Sequence, residues 1–173
     1  MKTFILAAFL LVHAVVAPAS GQSAYPTGDV SVRSAWRRLT LDDEGLKAVL
    51  KAQLLAENDV DTGDDAWSYA ARFKELAGLS DERLRSSLAD IYSEAAAQLE
   101  APPPKDSWTL MEAKKRMTGA VFWFGILHDA GTKAFLMDLA ADTSQASGLR
   151  MIAMASYLRI ADANETRDAL VRF

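Results

Sequence analysis

Cysteine is absent from the 173 residues, and that one absence removes several kinds of chemistry. Without thiols there is no disulfide framework, no thiolate metal site, no cysteine nucleophile and no lipidated N-terminal cysteine. Histidine is almost as scarce, limited to His13 and His128. A usual zinc site gathers several nitrogen or sulfur ligands, and neither Glu-x-x-His nor His-x-x-x-His spacing occurs. No Gly-rich phosphate loop is present, since "GAVFWFG" has bulky residues where a backbone cradle needs small ones. A Gly-x-Ser-x-Gly nucleophile elbow is missing too. No cofactor and no metal are therefore expected. Strong positive charge is lacking as well: 19 Lys and Arg face 23 Asp and Glu, for a formal charge of −4. That balance argues against nucleic acid and against an anionic membrane surface as partners.

What is present begins with "MKTFILAAFLLVHAVVAPAS". Lys2 supplies a basic start, Phe4 to Val16 an apolar run, and Ala17-Pro18-Ala19 the small residues of a cleavage site. The run is about 13 residues, short of the roughly 20 that a spanning helix needs. Residues 1–19 therefore read as a secretory signal peptide cut after Ala19, with a cut after Gly21 as the alternative. The expected location is exported, either periplasmic or secreted, with no membrane attachment after cleavage. Residues 20–34, "SGQSAYPTGDVSVRS", lack periodicity and read as a flexible linker.

Residues 35–173 read as a single all-helical domain. Apolar residues recur at three and four from Leu41 onward. Helices are predicted over about Leu41–Glu57, with Thr40 as cap, then Asp65–Ala77, closed by Gly78, and Asp81–Glu100, capped by Ser80. "APPPK" stops the third helix and makes a proline hinge at residues 102–104. A fourth helix is predicted from the Ser107 cap to about His128, and its "GAVFWFGIL" segment is apolar on all sides, as a buried central helix is. Shorter helices follow at about Thr132–Ala141, Gly148–Ala161 and Glu165–Arg172. No run of alternating apolar residues persists, so a β-sheet is not expected.

The C-terminal part repeats itself. "FGILHDAGTKAFL" aligns with "YLRIADANETRDAL", pairing Phe124 with Tyr157, Leu127 with Ile160, Asp129 with Asp162 and Gly131 with Asn164 at one constant interval. Gly and Asn tolerate the backbone of a tight helix turn. "LRSSLADIY" echoes "LRMIAMASY" at close to twice that interval. Such periods point to stacked helical pairs.

The stretch "LAADTSQASGLRMIAMASYLRIADANETRDAL" resembles HEAT-like repeats over about residues 111–173, and more faintly at 79–99. The resemblance makes Asp142 the loop aspartate, Leu149-Arg150 the pair opening the next helix, and Ala161-Asp162 the turn. It implies antiparallel helical pairs in a short α-solenoid-like array, with Asp129, Asp142, Arg150 and Asp162 in structural roles and Asp142 and Arg150 as an inter-repeat polar pair. It implies a surface and no activity.

Three clusters invite a functional reading. His128-Asp129 suggests an acid–base dyad, but adjacent helical residues point about 100° apart, and the repeat replaces His128 with Ala161. "NDVDTGDD" suggests calcium, but no register gives both the glycine and the glutamate of an EF-hand. Trp36-Arg37-Arg38, together with Leu170 and Phe173 on the last helix, is a candidate interaction surface for a protein partner or a second copy. Trp108 and Trp123 read as packing residues, and Asn164-Glu165-Thr166 is a glycosylation sequon. The expected function is an exported protein-interaction or scaffold module without catalysis. The alternative is a ligand carrier or small enzyme with an apolar pocket between helices near Phe122–His128.

Overall fold

The computed structural model describes residues 42–57, 64–102 and 107–172, and all seven of the elements there are helices, with no strand among the described residues. They are α1 (Asp43–Glu57), α2 (Asp64–Ala77), α3 (Asp81–Glu100), α4 (Ser107–Phe124), α5 (Ala130–Ala141), α6 (Ser147–Ile160) and α7 (Ala163–Arg172). The segments expected to be signal peptide and linker, residues 1–34, lie outside the described residues, as do Thr40, Trp36 to Arg38, most of the "NDVDTGDD" stretch and most of the expected proline hinge.

Helix starts follow side-chain caps. Asp42 accepts from the amide of Gly45 at 2.8 Å, so α1 opens two residues later than the periodicity suggests. Ser80 accepts from the Arg83 amide at 3.2 Å and opens α3, where the sequence places it. Such a cap satisfies one of the amides that the first turn leaves unpaired. Gly78 closes α2 with a φ of 63°, a left-handed conformation open to glycine at little cost.

The helices form an array of antiparallel pairs, with α3 packed along α4 and α5 along α6. Alternate helices run parallel. From α1 to α3, Asp43 pairs with Arg83, Lys47 with Asp90 and Lys51 with Glu94, so partners advance together along both chains. From α3 to α5, Arg85 pairs with Asp129 and Tyr92 meets Phe135 edge-on at 5.4 Å, again in the same sense.

Helix α4 is the hub, touching α1, α2, α3, α5 and α6. Ala120, Val121, Trp123, Phe124, Ile126 and Leu127 are all buried, as the uniformly apolar segment requires. Trp123 is enclosed completely and meets the edges of Phe73 at 5.3 Å and Tyr69 at 6.5 Å. The core stripes of α1 (Leu46, Val49, Leu50, Leu54) and α3 (Leu84, Leu88, Ile91) close on it. Burial of each such leucine or isoleucine contributes about 1.5–3 kcal/mol.

Helix α4 ends at Phe124, four residues before the predicted end at His128. The next three amides bond three residues back, Gly125 to Phe122, Ile126 to Trp123 and Leu127 to Phe124. The Phe122 carbonyl also accepts from Trp67 Nε1 at 3.1 Å and Ser156 Oγ at 3.4 Å. With that oxygen shared among donors from α2 and α6, the chain tightens instead of continuing as α-helix, and His128 falls beyond it. Trp108, expected to pack, is 63% exposed, its indole N–H donating to Glu112 one turn on.

Candidate functional site

The joint between α4 and α5 is built around Asp129. Its Oδ1 accepts from the Thr132 amide at 3.0 Å, and its Oδ2 from the Thr132 hydroxyl at 2.7 Å. The same Oδ1 accepts from Arg85 Nη1 on α3 at 3.0 Å. Partial burial pushes this carboxyl upward, but the Thr132 bonds and the Arg85 charge outweigh it and hold the pKa below the usual range. Asp129 is thus an ionised helix cap. His128 is exposed on the surface beside it. An acid–base dyad needs a carboxylate that orients the imidazole, and both oxygens of Asp129 already serve Thr132 and Arg85.

The joint between α6 and α7 has the same plan. Asp162 Oδ1 accepts from the amides of Asn164 at 2.8 Å and Glu165 at 2.9 Å, while Glu165 Oε2 accepts from the Asp162 amide at 2.8 Å. This is a reciprocal capping box. The amide of Glu165 holds Asp162 below its ordinary pKa, and Lys133 does the same for Glu165. Residues paired by the repeat alignment share burial: Phe124 with Tyr157, Leu127 with Ile160, and Leu136 with Ala169 are all core positions.

These joints lie along one edge, where the first turns of the parallel helices meet. Arg83 on α3 reaches Asp43 on α1 at 3.1 Å, Arg85 reaches Asp129 at the start of α5, and Lys133 on α5 reaches Glu165 on α7 at 2.7 Å. The result is a ladder of ion pairs tying α1, α3, α5 and α7 in order. Each rung is partly exposed and contributes little alone. Carboxylates at helix starts are favoured by the backbone dipole, which gives the ladder its polarity.

Asp142 and Arg150 do not form the direct pair that the resemblance implies. Asp142 accepts from the Ser144 amide and hydroxyl and from Gln145, and these bonds keep its carboxyl low, with Arg150 adding only its charge. Arg150 Nε donates instead to the Ala140 carbonyl at 3.0 Å, closing the last turn of α5.

The aromatic residues before His128 are engaged in packing. Phe122 stacks on Trp67 at 4.3 Å with an interplanar angle of 13°, and the Arg159 guanidinium lies 5.1 Å from the Trp67 ring centroid. Phe124 meets Phe135 at 5.1 Å. On the surface, Leu170 is 63% and Val171 82% exposed, whereas Ala169 beside them is buried. The other proposed surface residues, Trp36, Arg37 and Arg38, lie outside the described residues, and so does the Phe173 side chain. Among the described residues no group of His, Asp and Glu is placed to hold a metal ion, and no helix is long and apolar enough to cross a membrane.

Sequence reasoning missed Arg85, Thr132, Lys133 and Glu165. Glu165 carried a signal, because Asp-x-x-Glu before a helix is the capping-box pattern. Arg85 carried a fainter one in the Leu-Arg echo with Arg150. Lys133 carried none, since its partner depends on how the helices stack. Compared with known proteins, the chain matches no protein-family model, no curated protein and no solved structure.

Proposed function

We propose that this protein is an exported interaction or scaffold module, built from HEAT-like helical pairs and working without catalysis. The observation that carries the reading is the pair of aspartate-capped joints, Asp129 and Asp162, set side by side and tied by Lys133 and Glu165. Stacked helical pairs fold through neighbour contacts and present an extended surface for other molecules. The exposed Leu170 and Val171 on α7 fit a face that meets a protein partner or a second copy. Commitment of Asp129 to capping, with the aromatic side chains packed at Phe122–Phe124, favours this reading over a ligand carrier or small enzyme centred on His128.

Export rests on the leader, whose basic start, short apolar run and Ala17-Pro18-Ala19 fit cleavage. Expression with the leader intact, followed by mass determination of the exported protein, is expected to give an N-terminus at Ser20 or Gln22. Retention of Met1 in the cell-associated fraction would overturn export. For the interaction reading, chemical crosslinking and light scattering of wild type are compared with Leu170→Glu and Val171→Glu variants. The expected outcome is a partner or self-complex that the variants lose. Monomeric wild type with no specific crosslink would overturn it.

A further inference from the structure

Asparagine occurs only as Asn58 and Asn164, and the second opens the sequence Asn164-Glu165-Thr166. This is the acceptor pattern for an N-linked oligosaccharide, with glutamate and not proline in the middle. It lies in the first turn of α7, where the backbone and the side chain of Asn164 have separate duties. The backbone amide belongs to the joint, donating to Asp162 Oδ1 at 2.8 Å. The side chain does not. It is exposed, its Oδ1 accepts from Arg167 on the same helix at 3.4 Å, and its Nδ2 donates to no described residue. The nitrogen that would carry a sugar is therefore open to solvent, and the capping box of Asp162 and Glu165 keeps its bonds when that nitrogen is substituted.

Helix geometry carries the argument further. Successive residues turn by about 100°, so Asn164 points about 140° away from the buried Ala169. Glu165, one step round, reaches Lys133 on α5. Arg167, Asp168 and Val171 follow Asn164 at three, four and seven residues, on its own face, and all three are exposed. A sugar on Asn164 leaves from this outer face, away from the packed side of α7. Thr166, two residues on, lies about 200° round the helix and is half-buried, its hydroxyl bonded to no described residue. An enzyme that must grip Asn164 and the Thr166 hydroxyl together cannot do so on the finished helix. The pattern is readable in the chain before α7 winds, and the folded array then accommodates the product.

We infer that Asn164 is the acceptor of an N-linked oligosaccharide, added as the chain enters a secretory compartment. The site rests on the export reading, because the donor, an oligosaccharide on a lipid pyrophosphate, is used inside that compartment. Asn164 Nδ2 attacks the anomeric carbon of the sugar. The N–C bond forms as the C–O bond to pyrophosphate breaks, the lipid pyrophosphate leaves with that electron pair, and one amide proton is lost to solvent. A bulky, hydrophilic glycan at this position stands beside Val171 and narrows the approach to the outer face of α7.

The test translates the full chain in the presence of endoplasmic-reticulum microsomes, once with its own leader and once with residues 1–19 replaced by the leader of an established secretory protein. Protection from added protease reads translocation. Gel mobility before and after a glycan-releasing amidase reads modification. The protected chain is expected to carry one amidase-sensitive oligosaccharide. Asn164→Gln and Thr166→Ala are expected to abolish it, and Thr166→Ser to keep it. None of these readouts requires a variant to fold. A protected chain with no mobility shift, or a shift that survives in Asn164→Gln, would overturn the site. A chain that is unprotected with its own leader, but protected and shifted with the substitute, overturns export alone and supports the acceptor site.

Discussion

Lys133 Nζ lies 2.7 Å from Glu165 Oε2, and Glu165 uses that same oxygen to accept the Asp162 amide. One carboxylate therefore joins two helices and caps one of them. Lys133→Glu is expected to weaken docking of α7, read as faster amide hydrogen exchange over residues 163–172 with little change in α3. Exchanging the charges, with Lys133→Glu and Glu165→Lys together, is expected to restore the ion pair but not the capping box, so protection returns only in part. Full restoration would show that the box contributes nothing.

Asp129 separates capping from charge. Asp129→Ala removes the acceptor for the Thr132 amide and hydroxyl and leaves Arg85 without its partner, and is expected to cost about 1–2 kcal/mol in urea unfolding. Asp129→Asn keeps a side-chain acceptor for the helix amide and is expected to retain most of that stability. Equal losses for the two variants would place the effect in the Arg85 ion pair.

Three glycines give a graded test. A Cβ at Gly125 would sit 2.7 Å from Trp67 Nε1 and 3.1 Å from both the Phe122 oxygen and the Ser156 Cβ. Gly125→Ala is expected to destabilise by about 1–3 kcal/mol through overpacking. Gly78→Ala meets no neighbour but carries a φ of 63°, and is expected to cost about 1–2 kcal/mol from backbone strain alone. Gly148 lies in the first turn of α6 with open space around it, so Gly148→Ala is expected to be neutral or stabilising. Thermal or urea midpoints that do not place Gly148→Ala above the other two would contradict the packing described.

Stability is expected to fall at both ends of the pH range. Asp129, Asp162, Glu165 and Glu94 are held below their usual values, Glu94 chiefly by Lys51. Their stabilisation is present above the unfolded carboxylate values of about 4 and is lost as pH falls through the lower folded values. Lys133 and Lys47 are raised above the usual lysine value, chiefly by Glu165 and Glu44. Their stabilisation is present below that value and is lost as pH climbs through the raised one. Urea midpoints across pH 2–11 are expected to show a broad plateau with losses at each end, and the acid loss is expected to shrink in Asp129→Asn.

The all-helical array was legible wherever local rules act. Ser80, Gly78 and the 3–4 spacing of Leu84, Leu88 and Ile91 specify α3 and its borders through near-neighbour chemistry alone. The end of α4 was not legible. Phe124 to His128 continues the apolar run with only Gly125 as a local helix breaker, and the helix stops where Trp67 and Ser156, distant in sequence, share the Phe122 carbonyl. The same division holds at the joints. The repeat exposed Asp129 and Asp162 as a matched pair, whereas the cations that cross between helices, Arg85 and Lys133, depend on parallel stacking. Arg150 shows the converse: its sequence position suggested Asp142, but the free carbonyl at the end of α5 is the acceptor it finds.

Trp67 on α2, Gly125 just past the end of α4 and Ser156 on α6 converge on the Phe122 carbonyl, with no room for a side chain at residue 125. Drift at any one of these positions is constrained by the other two, however freely the exposed faces vary. A Trp…Gly…Ser triplet at matching intervals, with Asp–Ala following four residues after the glycine, is therefore a fingerprint by which distant relatives of this array are expected to be recognised.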